Sequence, residues 1–429
     1  MNTNQNLRSS LPLFLWLGYV SFVVYAGLVP LEYRGLPLEE AWAEFQRIPF
    51  VELSIDRYAD LISNGLLFIP VAFLTTYLLA QTFRNAPLLL LLAIAGAFSA
   101  SLAVAIEFAQ LFFPPRTVKL NDILSESLGS LVGLGLATRY LKWFETLLSS
   151  FWNDPQRLKT RLLEAYVFAY LAFSFFPFDL LLSWSELEAK IHSGSWGLLL
   201  AGNSQGFVLR GLQLLAEVVL TAPFGILLVR LLGGSLASYK RAAFVGLLLG
   251  GFIEVAQFFL YSGISQGLSV LTRALGVCSG VALCRYGERW TAERVALMLR
   301  RYTVPLGGVY LFALLYINRW FVSSWHGLDF AAQQLAQVNF VPFFYHYYAG
   351  EAQALFSLLV VCLSYVPIAL LAWAYRRSPR FAAVVCALLA MAVEASKLFM
   401  QPGHPDPTNL LLACATSWLT VTGLRQVFH

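Results

Sequence analysis

The chain has 429 residues, 58% of them hydrophobic and only 12% charged, whereas a soluble domain carries about a quarter charged residues. The net charge of +5 comes from basic residues spread among loops, not gathered on one face, which argues against a nucleic-acid partner. Cys278, Cys284, Cys362, Cys386 and Cys414 all lie inside apolar runs without paired spacing, so no zinc site, redox centre or other cofactor is expected.

Apolar runs of about 20 residues recur, each long enough to cross a ~30 Å hydrocarbon core as a helix. The first, Leu11 to Leu31, follows a polar start carrying Arg8 and shows no small-residue cleavage site, so it reads as a retained helix. The expected spans are roughly 11–31, 60–80, 87–113, 120–138, 162–182, 208–232, 241–262, 267–285, 303–321, 353–375, 380–400 and 407–424. The fold class is therefore all-α: a polytopic membrane helix bundle of about 12 transmembrane helices, forming three parallel four-helix repeats over 1–145, 146–298 and 299–429. A carrier with two six-helix halves would repeat near half the chain, and here the period is near one third.

Loops repeat with the helices. A long segment (32–59, 183–207, 322–352) follows each first helix, a short basic turn each second helix, and a short loop each third helix. With the amino terminus in the cytoplasm, Arg84, Arg139, Lys142, Arg157, Lys159, Arg161, Lys240, Arg241, Arg285, Arg300, Arg301, Arg376, Arg377 and Arg380 all fall inside. The bias of Lys and Arg toward cytoplasmic loops then places both termini there. The outer segments Arg47-Ile48-Pro49-Phe50 and Asn339-Phe340-Val341-Pro342-Phe343 match each other. They read either as simple interfacial anchors or as segments lying over the bundle mouth.

Ionisable groups at membrane depth are costly and usually mark a site. Three third helices end on one pattern: Glu107/Gln110, Glu254/Gln257 and Glu394/Lys397, pairs that share a helix face at i, i+3. Such a carboxyl group can bind a cation, accept a proton or grip a polar head group, or it can be a neutral packing residue. The first copy is the best equipped, with Asp60 and Asn64 one turn apart on its second helix, Arg116 after a Pro-Pro break, and Asn121-Asp122 opening the returning helix. Arg116 suits an anionic partner or is an exposed loop charge, and Asp122 is a helix cap, a ligand, or both. Gly129 and Gly133 have the small-xxx-small spacing of close helix packing. Glu217, Arg210 and Arg273 give the second copy a polar interior of its own, and Asp406-Pro407-Thr408-Asn409 starts the last helix of the third.

Asn64-x-x-x-Phe68-x-Pro70, Glu107-x-x-Gln110, Arg116, Asn121-Asp122-Ile123-Leu124 and Gly129 together resemble the VanZ-like family, whose founding association is teicoplanin (glycopeptide) resistance. The resemblance is good over 11–140, partial over 160–285, and over 303–424 rests on Glu394, the Val341-Pro342-Phe343 loop and Asp406 to Asn409. The chain departs from the family pattern at Glu126, where Asn is usual, and at Gly263, Ser269 and Lys397, which replace expected site residues in the later copies. The resemblance implies a bacterial plasma-membrane protein acting at the cell envelope. Its implied partners are membrane lipids and a lipid-linked glycan or glycopeptide at the outer leaflet. A proton- or cation-coupled transporter or flippase is the alternative, and a membrane enzyme the third reading, for no nucleophile–base pair, metal cluster or phosphate loop stands at recognisable spacing.

Overall fold

The computed structural model describes residues 3–50, 55–181, 183–201, 207–233, 237–287 and 291–428, and it is almost entirely helical. In chain order these are α1 (Thr3–Leu28), α2 (Leu38–Phe45), α3 (Ile55–Thr82), α4 (Leu88–Gln110), α5 (Leu120–Asn153), α6 (Pro155–Phe175) and α7 (Trp184–His192). Strand β1 (Trp196–Gly197), α8 (Phe207–Leu232), α9 (Tyr239–Phe258), β2 (Ser265–Gln266) and α10 (Gly267–Tyr286) follow. The last part holds α11 (Ala292–Arg301), α12 (Thr303–Ile317), β3 (Ser324–Trp325), α13 (Leu328–Gln337), α14 (Phe344–Tyr347), α15 (Glu351–Ala374), α16 (Pro379–Lys397), β4 (Met400–Gln401) and α17 (Thr408–Phe428).

Eight of the described helices are long and apolar enough to cross a membrane: α1, α3, α4, α8, α9, α10, α15 and α16. The other four expected spans also fold as helices, within α5, α6, α12 and α17. Helix α12 has only 15 residues, whereas α5 carries Asp122, Glu126, Arg139 and Lys142. The long segments 32–59, 183–207 and 322–352 are not plain loops: α2, α7, α13 and α14 lie in them.

The chain divides into two compact units, Met1–Leu148 with Phe175–Ala189 and Phe259–Ser262, and Ser149–Ser174 with Lys190–Phe258 and Gly263–His429. In the first, Val23, Phe68, Val71, Ala103 and Ile106 form a core shared by α1, α3 and α4. In the second, Tyr365, Cys386, Ala390 and Ala413 join α15, α16 and α17. Bulky apolar side chains point outward instead, as Leu89 does at 79% exposure. Bulky apolar groups on the outer surface, with alanines such as Ala95, Ala103, Ala390 and Ala413 among the buried residues, suit helices packed in lipid.

Glycine sets the closest approach. A Cβ on Gly129 would stand 1.9 Å from the Gly65 carbonyl oxygen, and one on Gly280 1.9 Å from that of Ala222. Thus α5 lies backbone to backbone on α3, and α10 on α8.

Three helical hairpins (α4 into α5, α9 into α10, α16 into α17) repeat the same backbone details. Residues Leu31, Phe178 and Arg319, just beyond α1, α6 and α12, all take left-handed φ of 63°, 65° and 60°. Three residues or more further on, the chain reaches its hairpin loop: Arg34 N donates to Phe112 O, Leu181 N to Phe259 O, and His326 N to Phe399 O.

Candidate functional site

Each hairpin closes on its glutamate. Glu107 Oε2 accepts the backbone N–H of Lys119 at 3.3 Å, Glu254 Oε2 that of Gln266, and Glu394 Oε2 that of Asp406 at 2.8 Å, in every case twelve residues on. The N–H groups at the start of a helix lack intrahelical partners, and a carboxylate there also meets the positive end of the helix dipole. The buried glutamate therefore pins the loop and the head of the returning helix. What lies on the other side of it differs among the hairpins.

In the second hairpin an arginine neutralises the site. Arg273, 5% exposed, bonds Glu254 Oε1 through Nη1 and Tyr170 Oη through Nε at 3.3 Å. Its Nη2 stands 3.9 Å from Glu217 Oε1, and Glu217 also accepts from the hydroxyls of Ser269, at 2.8 Å, and Thr272. In the third hairpin Lys397 Nζ donates to Glu394 Oε1 at 2.8 Å, and Asn409 Nδ2 donates to the same oxygen at 2.8 Å. Asp406 caps α17 by accepting Thr408 N at 2.9 Å, and its Oδ2 lies 3.4 Å from His346 Nδ1.

In the first hairpin, among the described residues, no cation is ion-paired with the glutamate, although Lys119 and Arg116 lie within electrostatic reach of it. Glu107 is 1% exposed and Glu126 6% exposed, with Asn121, Asp122, Ser125 and Gln110 also buried. Glu107, Asp122 and Glu126 lie within electrostatic reach of one another, and Asn64 within hydrogen-bonding reach of Asp122. Lys119 Nζ goes to Asp60 at 3.2 Å. Arg116 donates from Nε to Val29 O at 2.6 Å and from Nη2 to Ala26 O, closing the carboxy-terminal turn of α1. Among the described residues no ion pair reaches Glu107, Asp122 or Glu126, and Glu126 Oε2 is buried with no hydrogen-bond partner.

The expected residues sort accordingly. Glu107, Asp122, Asn64 and Asp60 come together with Lys119. Of the three i, i+3 pairs only Glu394–Lys397 forms a direct bond. Gln257 instead donates to Ser174 O at 3.2 Å, and the Gln110 amide lies beside Gly27 of α1. The side chain of Arg210 lies outside the described residues. Sequence reasoning undervalued Glu126, whose signal was available: it follows Glu107 by the same 19 residues that separate Glu254 from Arg273 and falls one helical turn after Asp122. Among the described residues no three His, Cys, Asp or Glu side chains are grouped so as to hold a metal ion.

Residues 15–144 match the family described as VanZ/LLP1, which bears out the resemblance found over 11–140. No curated protein and no solved structure matches the chain.

Proposed function

We propose that this chain, VanZ-like over residues 15–144, is a multi-pass protein of the bacterial plasma membrane. Its first unit binds the polar part of a lipid-linked glycan or glycopeptide at the outer leaflet. The observation that carries the reading is the buried polar cluster of Glu107, Asn121, Asp122 and Glu126, within the matched segment and short of hydrogen-bond partners at Glu126. A buried, incompletely satisfied carboxyl group is expensive, and a function is a reason for a fold to keep one. The recurring glutamate-to-backbone bond twelve residues on favours three tandem units over 1–145, 146–298 and 299–429, and the bias of Lys and Arg among the loops favours cytoplasmic termini. In the second and third units Arg273 and Lys397 fill the polar site from within, so those units serve as scaffold.

The test is complementation of a deletion strain, scored for sensitivity to teicoplanin and to envelope stress, with membrane insertion checked for every variant. Wild type is expected to restore the phenotype, and Glu107→Gln, Arg116→Ala and Asp122→Asn to fail although inserted. Full restoration by all three would reduce the cluster to capping and packing groups.

A further inference from the structure

The three hairpins share one acceptor, and in two of them its second oxygen is already occupied. Oε1 of Glu254 takes the guanidinium of Arg273, and Oε1 of Glu394 takes the ammonium of Lys397. Both are N–H donors carrying positive charge, held by side chains of the chain itself. In the first hairpin the position that corresponds to Arg273 is Glu126, and the one that corresponds to Lys397 is Gln110. So the site that lacks its built-in cation also gains a carboxyl group, and one oxygen of that group, Glu126 Oε2, is buried without a partner.

We infer that the first hairpin binds a protonated primary amine, held between Glu107, Asp122 and Glu126 as Lys397 is held by Glu394. Three buried carboxyl groups and one unpartnered oxygen leave hydrogen-bonding capacity that a cationic N–H donor would use. Lys119 and Arg116 lie within electrostatic reach of Glu107 and Asp122, but the donors seen bonded go to Asp60 and to the α1 carbonyls, and among the described residues no ion pair forms with Glu107, Asp122 or Glu126. Shape selects among cations. A metal ion needs several oxygen ligands converging at short range, and no such group of side chains is present among the described residues. An ammonium group needs only separate acceptors, because its three N–H bonds diverge. The inference rests on the reading of the first unit as the working site and names what that site grips. The amine belongs either to a lipid headgroup such as phosphatidylethanolamine or to a soluble ligand, and the chemistry is the same.

The experiment uses the purified full-length protein. Thermal unfolding is followed with increasing ethanolamine, against choline and sodium at matched ionic strength. A ligand that binds only the folded state raises the midpoint in a saturable way. Ethanolamine is expected to raise it by several degrees, and choline, which has no N–H to donate, to leave it unchanged. Glu126→Gln should weaken the response about tenfold or more, the factor that corresponds to about 1.4 kcal/mol. Glu126→Arg, which installs the residue of the second hairpin, should abolish it. If Glu126→Arg fails to fold, the Gln variant decides alone. A parallel arm extracts the protein from vesicles with and without phosphatidylethanolamine and weighs the retained lipid. Selective retention by wild type over Glu126→Gln assigns the amine to a lipid, and an ethanolamine response without retention assigns it to a soluble ligand. An equal rise with choline or sodium, a response unchanged in Glu126→Gln, or neither a rise nor retention would overturn the inference. The envelope phenotype fails or holds separately: variants that lose amine binding but still complement would sink the proposed function and leave this site standing.

Discussion

Arg273→Met is the sharpest test of the charge argument. The substitution keeps a flexible apolar stem and removes the guanidinium charge between Glu254 and Glu217. At the 3.9 Å that separates Arg273 Nη2 from Glu217 Oε1, a unit charge pair is worth about 4 kcal/mol at an effective dielectric near 20. The closer pair with Glu254 adds to that, against a desolvation cost already met by the folded protein. Measured losses on removing one partner of a buried pair are about 3–5 kcal/mol, because the other charge is left uncompensated. The expected loss for Arg273→Met is therefore about 3–5 kcal/mol, read by reversible unfolding in mixed micelles. Adding Glu254→Gln should recover at least half of it, since Gln can still accept from Gln266 N without a charge, and Glu217 keeps its bonds from Ser269 and Thr272. Arg273→Lys should fall between, because one ammonium cannot bridge both carboxylates and also meet Tyr170. A loss under about 1 kcal/mol for Arg273→Met, or a double variant no more stable than the single, would refute the reasoning.

Three other outcomes follow from the same geometry. Glu126→Gln should change the unfolding free energy by less than about 1 kcal/mol in the absence of ligand, because an isosteric amide replaces a carboxyl group that already has one oxygen unpartnered. A loss above about 2 kcal/mol, on the scale of leaving a buried group unsatisfied, would mean that Glu126 has a stabilising partner. Gly129→Ala should cost at least about 1–3 kcal/mol, since its Cβ meets the Gly65 carbonyl, itself backbone that cannot step aside, whereas Gly18→Ala, with open space around it, should be close to neutral. Arg116→Ala removes two charge-assisted bonds to Ala26 and Val29, each worth about 1.5–3 kcal/mol. Hydrogen exchange should then speed up at the end of α1 by at least tenfold with α3 unchanged, and equal protection in both proteins would show the cap to be idle.

The helices, the three glutamates and their spacing were legible in the sequence because each depends on neighbours: apolar run length for the spans and a fixed loop length for the hairpins. The role of Arg116 was not, since its acceptors Val29 and Ala26 lie 87 and 90 residues earlier, and nothing local distinguishes a loop arginine from one that caps a remote helix. Gln257 likewise shares a helix face with Glu254 but finds Ser174 O, 83 residues away. The i, i+3 rule places two side chains side by side without deciding which partner each takes. The spans that fell short in hydropathy include α5, whose first turns hold Asp122 and Glu126. The polarity that weakens the span signal there is the polarity that makes the site.

Two roles of the hairpin glutamate are separable, and their separation accounts for how the three hairpins differ. Oε2 closes the loop by accepting a backbone N–H, a bond present in all three hairpins and indifferent to which side chains surround it. Oε1 meets the neighbour that varies, Arg273 in the second hairpin and Lys397 with Asn409 in the third, whereas the first hairpin carries Glu126 at the position of Arg273. A built-in cation offsets the buried charge permanently, as a folding requirement would favour. An added carboxyl group with one oxygen unpartnered does the reverse, and stability alone gives no reason for it. The hairpin least favourable by itself is thus the one arranged to be completed from outside, and it lies within the segment that matches the VanZ/LLP1 family.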